Sequence, residues 1–161
     1  MTQSAAPLAL ALDDTMCVSL RAQLQDDHDV RGALCAELES LADGLPSLPC
    51  PARVRRLCNQ IEAATSFHFR RADAILIAAA DGLDVPPVPE MLGRLRDMHV
   101  MDAMHGEDLI TVLWDSTARG AVTRPGEFGY MLRCFFDGCR RAIALESMVL
   151  AAIEKERPHR H

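Results

Sequence analysis

The sequence predicts an all-α fold, an up-down-up-down four-helix bundle, on two observations. The first is composition: 49% of the 161 residues are apolar, but only five Phe, one Tyr and one Trp are present. Ala, Leu and Met must therefore build the core, and these residues favour helices. The second is the position of joints rich in Gly and Pro. These joints separate four segments of similar length, each with apolar residues at helical spacing. Short joints make consecutive helices antiparallel neighbours in one domain.

The four helices are predicted at 13–43, 51–81, 88–118 and 126–156, with joints at 44–51, 82–89 and 119–127. Asp13 or Asp14 is the expected N-cap of the first helix. That helix turns a set of apolar side chains inward, namely Leu20, Leu24, Leu34, Cys35, Leu38 and Leu41. The bundle is expected to span residues 12–157, between a flexible N-terminal tail, 1–11, and a C-terminal tail, 158–161.

Composition also narrows the class of protein. A formal charge of −6 and a pI near 5.4 argue against nucleic-acid binding. The longest apolar runs are far shorter than the roughly 20 residues that a bilayer span needs, and the N-terminus does not resemble a secretory signal. The six cysteines contain no Cys-x-x-Cys pair, so they are expected to be reduced thiols filling core positions in a cytoplasmic protein.

One polar residue interrupts the apolar stripe of each predicted helix. These are His28, His68, His99 and Glu146. A rise of about 1.5 Å per residue places all four in one layer of an antiparallel bundle, within roughly 5–8 Å along its axis. Since a buried carboxylate must be paired, hydrogen-bonded or bound to metal, three imidazoles around Glu146 predict a site for one metal ion.

Iron or zinc suits these nitrogen and oxygen donors. Asp102, near His99 on the third helix, is a candidate to assist, and so is His105. A metal-free hydrogen-bond network of the same histidines and Glu146 remains the alternative.

Four segments carry a family resemblance: LQDDHDVRGALCAELESL, HFRRADAIL, RDMHVMDAMHGEDL and RRAIALESMVLAAI. Together they resemble the hemerythrin-like proteins, which have an HHE cation-binding domain, over residues 12–156. The resemblance implies a four-helix bundle with a di-iron centre that binds dioxygen or nitric oxide. Carried over by position, it implies ligand roles for His28, His68, His99 and Glu146.

The sequence departs from that family at three ligand positions. Ala72 stands where the family has a bridging glutamate, and Ala142 stands where the fourth helix usually has histidine. Ala103 replaces the second ligand of the third helix. With one bridging carboxylate instead of two, the chain is expected to hold a single ion rather than a di-iron pair.

Two other kinds of site are suggested by clusters of residues in the sequence. Met98, Met101 and Met104, with His99 and His105, could bind Cu(I), helped by Cys35 or Cys139. Methionines at helical spacing are more often core filling, which is the favoured interpretation. No phosphate-binding loop or Gly-x-Ser-x-Gly elbow is present, so an enzyme is not predicted, although a Cys–His pair stays open.

Two functions follow from these observations. The first is a metal-binding protein with a role in binding or sensing dioxygen or nitric oxide. The second is a metal-free bundle that acts as a regulatory or protein-interaction module. Neither a membrane nor a nucleic acid is an expected partner, and a homodimer is possible.

Overall fold

A computed structural model describes residues 14–83 and 86–157, with side chains from residue 18 onward. Over these residues the chain is all-α and without strands. Its helices are α1 (Asp14–Asp43), α2 (Pro51–Ala63), α3 (Phe69–Ala79), α4 (Val88–Arg119) and α5 (Pro125–Glu156). One π-helical turn, Ala64–His68, joins α2 to α3. The predicted four-helix architecture is therefore confirmed, while the Asp13 or Asp14 cap and both tails lie outside the described residues and side chains.

Proline and glycine set the helix ends at the predicted joints. Pro51 and Pro125 are the first residues of α2 and α5, where proline's fixed φ suits a helix and its missing N–H costs nothing. Helix α4 ends at Arg119 and is followed by Gly120, whose φ of +68° is left-handed and favours glycine. The helix bounds consequently agree with the predicted ones to within about two residues, which is the usual uncertainty of helix ends.

The apolar core is divided into two clusters. One contains Leu24 of α1, Leu95 of α4 and Val149 of α5. The other contains Leu34 of α1, Leu109 of α4 and Cys139 of α5, among others. Apart from Ser116 near the end of α4, the buried polar side chains among the described residues lie between these positions on each helix: Asp27, His28 and Arg31, then His99 and Asp102, then Glu146. A polar layer thus crosses the middle of the bundle between two apolar ends.

The second of the four long segments consists of α2, the π turn and α3. The π turn changes which side chain of this second segment faces the core. The buried positions run from Ile61 and Ala64 to Phe69 and Ala72, a step of five residues in the middle where an α-helix would give three or four. His68, predicted to continue the inward stripe, is instead partly buried with 14% of its side chain exposed. The prediction of the inward stripe assumed an unbroken α-helix, whereas the π turn gives the fully buried position to Phe69, next to His68.

Hydroxyl side chains accompany this π turn. The Thr65 hydroxyl donates to the carbonyl oxygens of Ile61 and Glu62, and the Ser66 hydroxyl donates to that of Glu62 at 2.6 Å. These side-chain hydrogen bonds satisfy carbonyl groups where the regular backbone ladder changes register. The backbone N–H of Phe69 bonds to the carbonyl of Ala64, five residues earlier. The pair Thr65 and Ser66 is thus the local sequence feature that favours the irregular turn.

The thiols of five cysteines are described, and all are free. Cys35, Cys58 and Cys139 are buried as predicted, whereas Cys134 is partly buried and Cys50 is exposed. Cys17 lies outside the described side chains. In the parts of the chain that the structure describes, no helix combines the length and apolar character that a membrane crossing requires.

Candidate functional site

The Glu146 carboxylate lies at the centre of the polar layer and is bound by three side chains. Its Oε1 accepts hydrogen bonds from Nη1 of Arg31 at 2.7 Å and from Nε2 of His99 at 2.9 Å. Its Oε2 accepts from Nε2 of His28 at 2.8 Å and from Nη2 of Arg31. Arg31 and Glu146 are both fully buried. Arg31 and Glu146 therefore form a bidentate guanidinium–carboxylate ion pair, called the clamp below. One imidazole is hydrogen-bonded to each oxygen of the carboxylate.

This clamp satisfies the carboxylate completely. A carboxylate offers about four acceptor positions, and all four are used here. Burial alone would raise the pKa of Glu146, but hydrogen bonds from His28, His99 and Arg31 outweigh it and hold that pKa well below its usual range. Because the arginine stays protonated at any ordinary pH, its charge offsets that of the buried carboxylate. Glu146 is consequently ionised and neutralised without any further group.

His99 bridges two carboxylates. Its Nδ1 lies 3.0 Å from Oδ1 of Asp73 on α3, while its Nε2 binds Glu146. An ionised carboxylate can only accept, so both ring nitrogens donate and the ring is an imidazolium. Burial would lower the pKa of His99, but the hydrogen bonds to Asp73 and Glu146 raise it above the ordinary value. Phe69 stacks on this ring, with centroids 4.4 Å apart and planes 6° from parallel.

His68 belongs to a neighbouring cluster centred on Asp27. Nδ1 of His68 lies 3.0 Å from Oδ1 of Asp27, and the same oxygen accepts from Nη1 of Arg71 at 3.3 Å. The other oxygen of this buried carboxylate, Oδ2, has no hydrogen-bond partner among the described residues. Within that part of the chain, His68 has no hydrogen bond to Glu146. Two histidines of the predicted set thus meet Glu146, and the third is tied to the adjoining Asp27.

The two assisting residues predicted from the sequence are placed elsewhere. Asp102 lies against α5 at Gly138, where an added Cβ would be only 2.4 Å from its Oδ1. Burial raises the pKa of Asp102, and its Oδ2 has no hydrogen-bond partner among the residues described. His105 is exposed to solvent. Neither residue forms a hydrogen bond to Glu146 in the described part of the chain.

The hemerythrin-like resemblance implies a metal at this layer, and the side chains in this arrangement do not fit one. The guanidinium of Arg31 is bound to both oxygens of Glu146, where a cation would have to approach. Both nitrogens of His99 are also engaged. Between residues 14 and 157, apart from the positions that the structure leaves undescribed, no group of three His, Cys, Asp or Glu side chains is arranged to hold a metal ion.

Met101 and Met104 of α4 lie outside the core. Met101 and Met104 are 52% and 56% exposed, and Met98 is partly buried. The interpretation of Met101 and Met104 as core residues was wrong, because they lie with Val100 on the outer side of α4 while His99 and Asp102 face inward. The exposed His105 is likewise separated from the buried His99.

Three residues that were not predicted from the sequence complete the polar layer: Arg31, Asp27 and Asp73. One signal for Arg31 was available: it follows His28 by three residues and precedes Cys35 by four, so all three share one helix face. Arginine is almost never fully buried without a partner, so an arginine on the inward stripe predicts a buried carboxylate opposite. Asp27 carried the same kind of signal, because it follows Leu24 by three residues and precedes Arg31 by four. Asp73 lies next to the inward position Ala72, off the predicted stripe, and carried no such signal.

The charged state of this layer predicts a pH dependence of stability. The folded pKa of His99 is raised, so its contribution is complete below the unfolded value of about 6.5 and is lost as the pH rises through the folded value. The folded pKa of Glu146 is lowered, so its contribution is complete above about 4.3 and is lost as the pH falls. We therefore expect greatest stability between these values and a decline on the alkaline side.

Urea unfolding in reductant, from about pH 5 to about pH 9, measures this decline, whose slope cannot exceed about 1.4 kcal/mol per pH unit for one proton. His99→Gln, which does not titrate, is expected to remove most of the alkaline slope. Equal slopes in the wild type and the variant would show that His99 is not the group responsible.

The site draws its members from four helices: α1 gives His28 and Arg31, α3 gives Asp73, α4 gives His99 and α5 gives Glu146. Its chemistry is that of a buried, neutralised network of hydrogen bonds. No family model, curated protein or solved structure compared with this chain matches it.

Proposed function

We propose that this chain is a metal-independent four-helix bundle that acts as a regulatory or protein-interaction module. The observation that carries the proposal is the Arg31–Glu146 clamp. A guanidinium supplies the positive charge that a metal ion would supply to a buried carboxylate, and it uses both carboxylate oxygens. The histidines add the two remaining hydrogen bonds. Nothing in this network needs a metal in order to be stable.

The hemerythrin-like topology is part of the proposal. Support for antiparallel neighbours comes from pairs of residues whose numbers run in opposite directions along α1 and α5. Arg21 pairs with Glu154, His28 with Glu146, and Arg140 with Glu39. Along the second segment and α4, Asp73 meets His99, while Thr65 approaches Gly106. An up-down-up-down order of the four segments accounts for both series.

The alanines at lost ligand positions agree with a metal-independent layer. Ala72 and Ala142, where the resemblance implies a glutamate and a histidine, are both fully buried. Arg31 is among the largest fully buried side chains of the protein. We propose that small residues at 72 and 142 accompany the large one at 31, so that an arginine replaces the ion and its missing ligands.

An interaction role is supported by the outer face of α4. Val100, Met101 and Met104 are each more than half exposed. Exposed apolar side chains that adjoin one another are more common at protein contacts than elsewhere on a monomer, and methionine adapts its shape to different partners.

The competing proposal is the one that the sequence first indicated, a single iron or zinc ion with a role in dioxygen or nitric oxide binding. It is favoured by one observation, that His28, His99 and Glu146 do converge from three helices. The two proposals differ in what metal does to stability, because a ligand that binds only the folded state stabilises it.

The test uses a tag-free chain ending at residue 157, so that the tail histidines cannot bind metal. We expect elemental analysis to find far less than one ion per chain, and we expect Fe(II), Zn(II) and chelator to leave the thermal midpoint unchanged. One ion per chain, whose removal lowers the midpoint and which is lost in His99→Ala, would establish the competing proposal instead.

Arg31→Ala provides the matched comparison, because it removes the guanidinium and keeps His28, His99 and Glu146. We expect this variant, unlike the wild type, to be stabilised by Zn(II), since three suitable donors then face one cavity. If neither protein responds to zinc, Arg31 is not the reason that the layer excludes metal.

A further inference from the structure

The outer face of α4 carries a row of side chains at the alternating spacing of four and three residues that packed helices use. The row is called the α4 outer row below, and all its members are exposed: Asp97, Met101, Met104, Asp108, Thr111 and Asp115. Met101 and Met104 form its middle, and Val100 lies beside them, 61% exposed. The row therefore has the spacing of a helix-binding face, and no helix covers it in the part of the chain that the structure describes.

Carboxylates border this apolar middle. Asp97 lies one turn before Met101, Asp108 lies one turn after Met104, and Glu107 adjoins Asp108. Within residues 14–83 and 86–157, none of these three carboxylates takes part in an ion pair. Exposed carboxylates of α1, in contrast, are paired with arginines of α5: Glu39 with Arg140 and Asp43 with Arg133. The acids of α4 are thus available to a partner.

We propose that the α4 outer row docks a cationic amphipathic helix of another protein. Apolar side chains of that helix would lie on Met101 and Met104, and its Lys or Arg side chains would reach Asp97 and Asp108. A rise of about 1.5 Å per residue separates the two aspartates by roughly 16 Å, so the cationic side chains of the partner would be about 11 residues apart. The inference rests on the protein-interaction role proposed above and names the class of partner.

Each half of the row contributes a different part of the recognition. The methionines are flexible and can fit the apolar side chains of a helix, which is the usual source of affinity when an amphipathic helix binds a surface. The carboxylates select the charge of the partner and speed its association, because opposite charges attract before contact is made.

The charge of the row favours this partner over other occupants. Arg94 and Glu90 continue the row towards the start of α4 with opposite charges, so the row stays acidic. A second copy would place acidic side chains against acidic ones, because a two-fold contact pairs a surface with itself. An anionic membrane would be repelled for the same reason. Residues 1–13 of the chain contain no Lys or Arg, so they lack the opposing charge.

The test uses the full chain and a pair of fluorescent synthetic helices of about 21 residues, or three heptads. One has leucines along a single row with lysines beside them, and the other has glutamate in place of every lysine. We expect fluorescence anisotropy to show binding of the lysine helix alone, and we expect added salt to weaken it, because salt screens exposed charges. Binding of neither helix, or of both equally, would overturn the proposal.

A double variant locates the charges that the probe uses. Asp97→Asn with Asp108→Asn removes two carboxylates from the row and should weaken binding about tenfold at low ionic strength. The matched control is Asp26→Asn with Glu156→Gln, which removes two exposed carboxylates from α1 and α5. This control should bind like the wild type. Equal losses in the two double variants would show that the probe responds to net charge and not to the α4 outer row.

The methionines provide a second, independent location. Met104→Gln should weaken binding severalfold, whereas Met148→Gln, on α5 and 60% exposed against 56% for Met104, should not. In methyl NMR spectra of the wild type, the lysine helix should shift the signals of Met101 and Met104 and leave that of Met148 in place. A shift of Met148 alone would place the probe elsewhere and overturn the proposal.

The free chain reports on the other occupants. A dimer that Met104→Gln dissociates would mean that a second copy occupies the row. A nuclear Overhauser contact from residues 1–13 to the Met104 methyl group would mean that the chain itself does so. Either result would overturn the proposal of a separate cationic partner.

Metal separates this inference from the proposed function on which it rests. The anisotropy titration is run in chelator and again with Zn(II), and we expect the same affinity in both. Binding that requires Zn(II) would contradict the metal-independent bundle and, if lost in Asp97→Asn with Asp108→Asn, would still support docking on the α4 outer row. Absence of binding in both conditions would overturn the docking proposal alone, since elemental analysis decides metal independence separately.

Discussion

Replacing Arg31 with methionine is expected to lower the free energy of unfolding by about 3–5 kcal/mol, the usual cost of removing one partner from a buried ion pair. Methionine keeps much of the side-chain volume, so the loss comes from charge and hydrogen bonding rather than from a cavity. Glu146 would remain fully buried with only His28 and His99 as donors. Its ionised form would lose the guanidinium charge that lies against both oxygens and would keep only the imidazolium of His99, at Oε1.

A second variant separates the cost of an unpaired charge from the worth of the pair. In Arg31→Met with Glu146→Leu, neither charge is buried, so we expect most of the lost stability to return. Recovery should be incomplete, because His28 and His99 each lose an acceptor in the process. A double variant less stable than Arg31→Met would mean that the clamp itself, rather than the orphaned carboxylate, stabilises the fold.

Urea unfolding at about pH 6 measures these differences, and Arg56→Met supplies the control. Arg56 also pairs with a glutamate on another helix, Glu37 of α1, but 58% of its side chain is exposed. Exposed ion pairs contribute little, so this control should differ only slightly from the wild type. If the free energy of unfolding falls no further in Arg31→Met than in Arg56→Met, the clamp does not stabilise the polar layer.

The sequence was sufficient to predict the four-helix architecture because the signals for it are local. Gly120 ends α4, and Pro51 and Pro125 begin α2 and α5, through the backbone preferences of those residues alone. The inward positions of Leu24 and Leu109 likewise follow from helical spacing. None of these features depends on which helices become neighbours, and this is why their prediction needed no knowledge of the tertiary structure.

The site was only partly predictable, for two physical reasons. Helical spacing correctly predicted that His28 and His99 approach Glu146, because α1, α4 and α5 are regular helices around these residues. It failed at His68, since the π turn adds a residue to the register there. Arg31 was not predicted either, because a metal site is expected to consist of metal-binding side chains, and an arginine in the layer excludes the cation that such side chains would hold.

Replacing Phe69 with alanine is expected to cost about 3–5 kcal/mol, the range for a fully buried aromatic side chain. Phe69 occupies the inward position that the π turn creates, and only 2% of it is exposed. Its ring stacks on His99 and lies 5.5 Å from the guanidinium carbon of Arg31. The ring therefore packs the core and also offers its π face to two cationic groups of the layer.

Phe67→Ala is the matched control, because Phe67 belongs to the same π turn but is 56% exposed. It should lose far less stability in the same denaturant titration, and equal losses would show that the inward position of Phe69 is not what anchors the second segment.

Phe69→Leu separates the two roles of the ring, since it restores apolar packing without a π face. In that variant the pKa of His99, followed by NMR, should fall towards its ordinary value. An unchanged His99 titration would mean that Asp73 and Glu146 alone hold the imidazolium, and that Phe69 acts only by filling space.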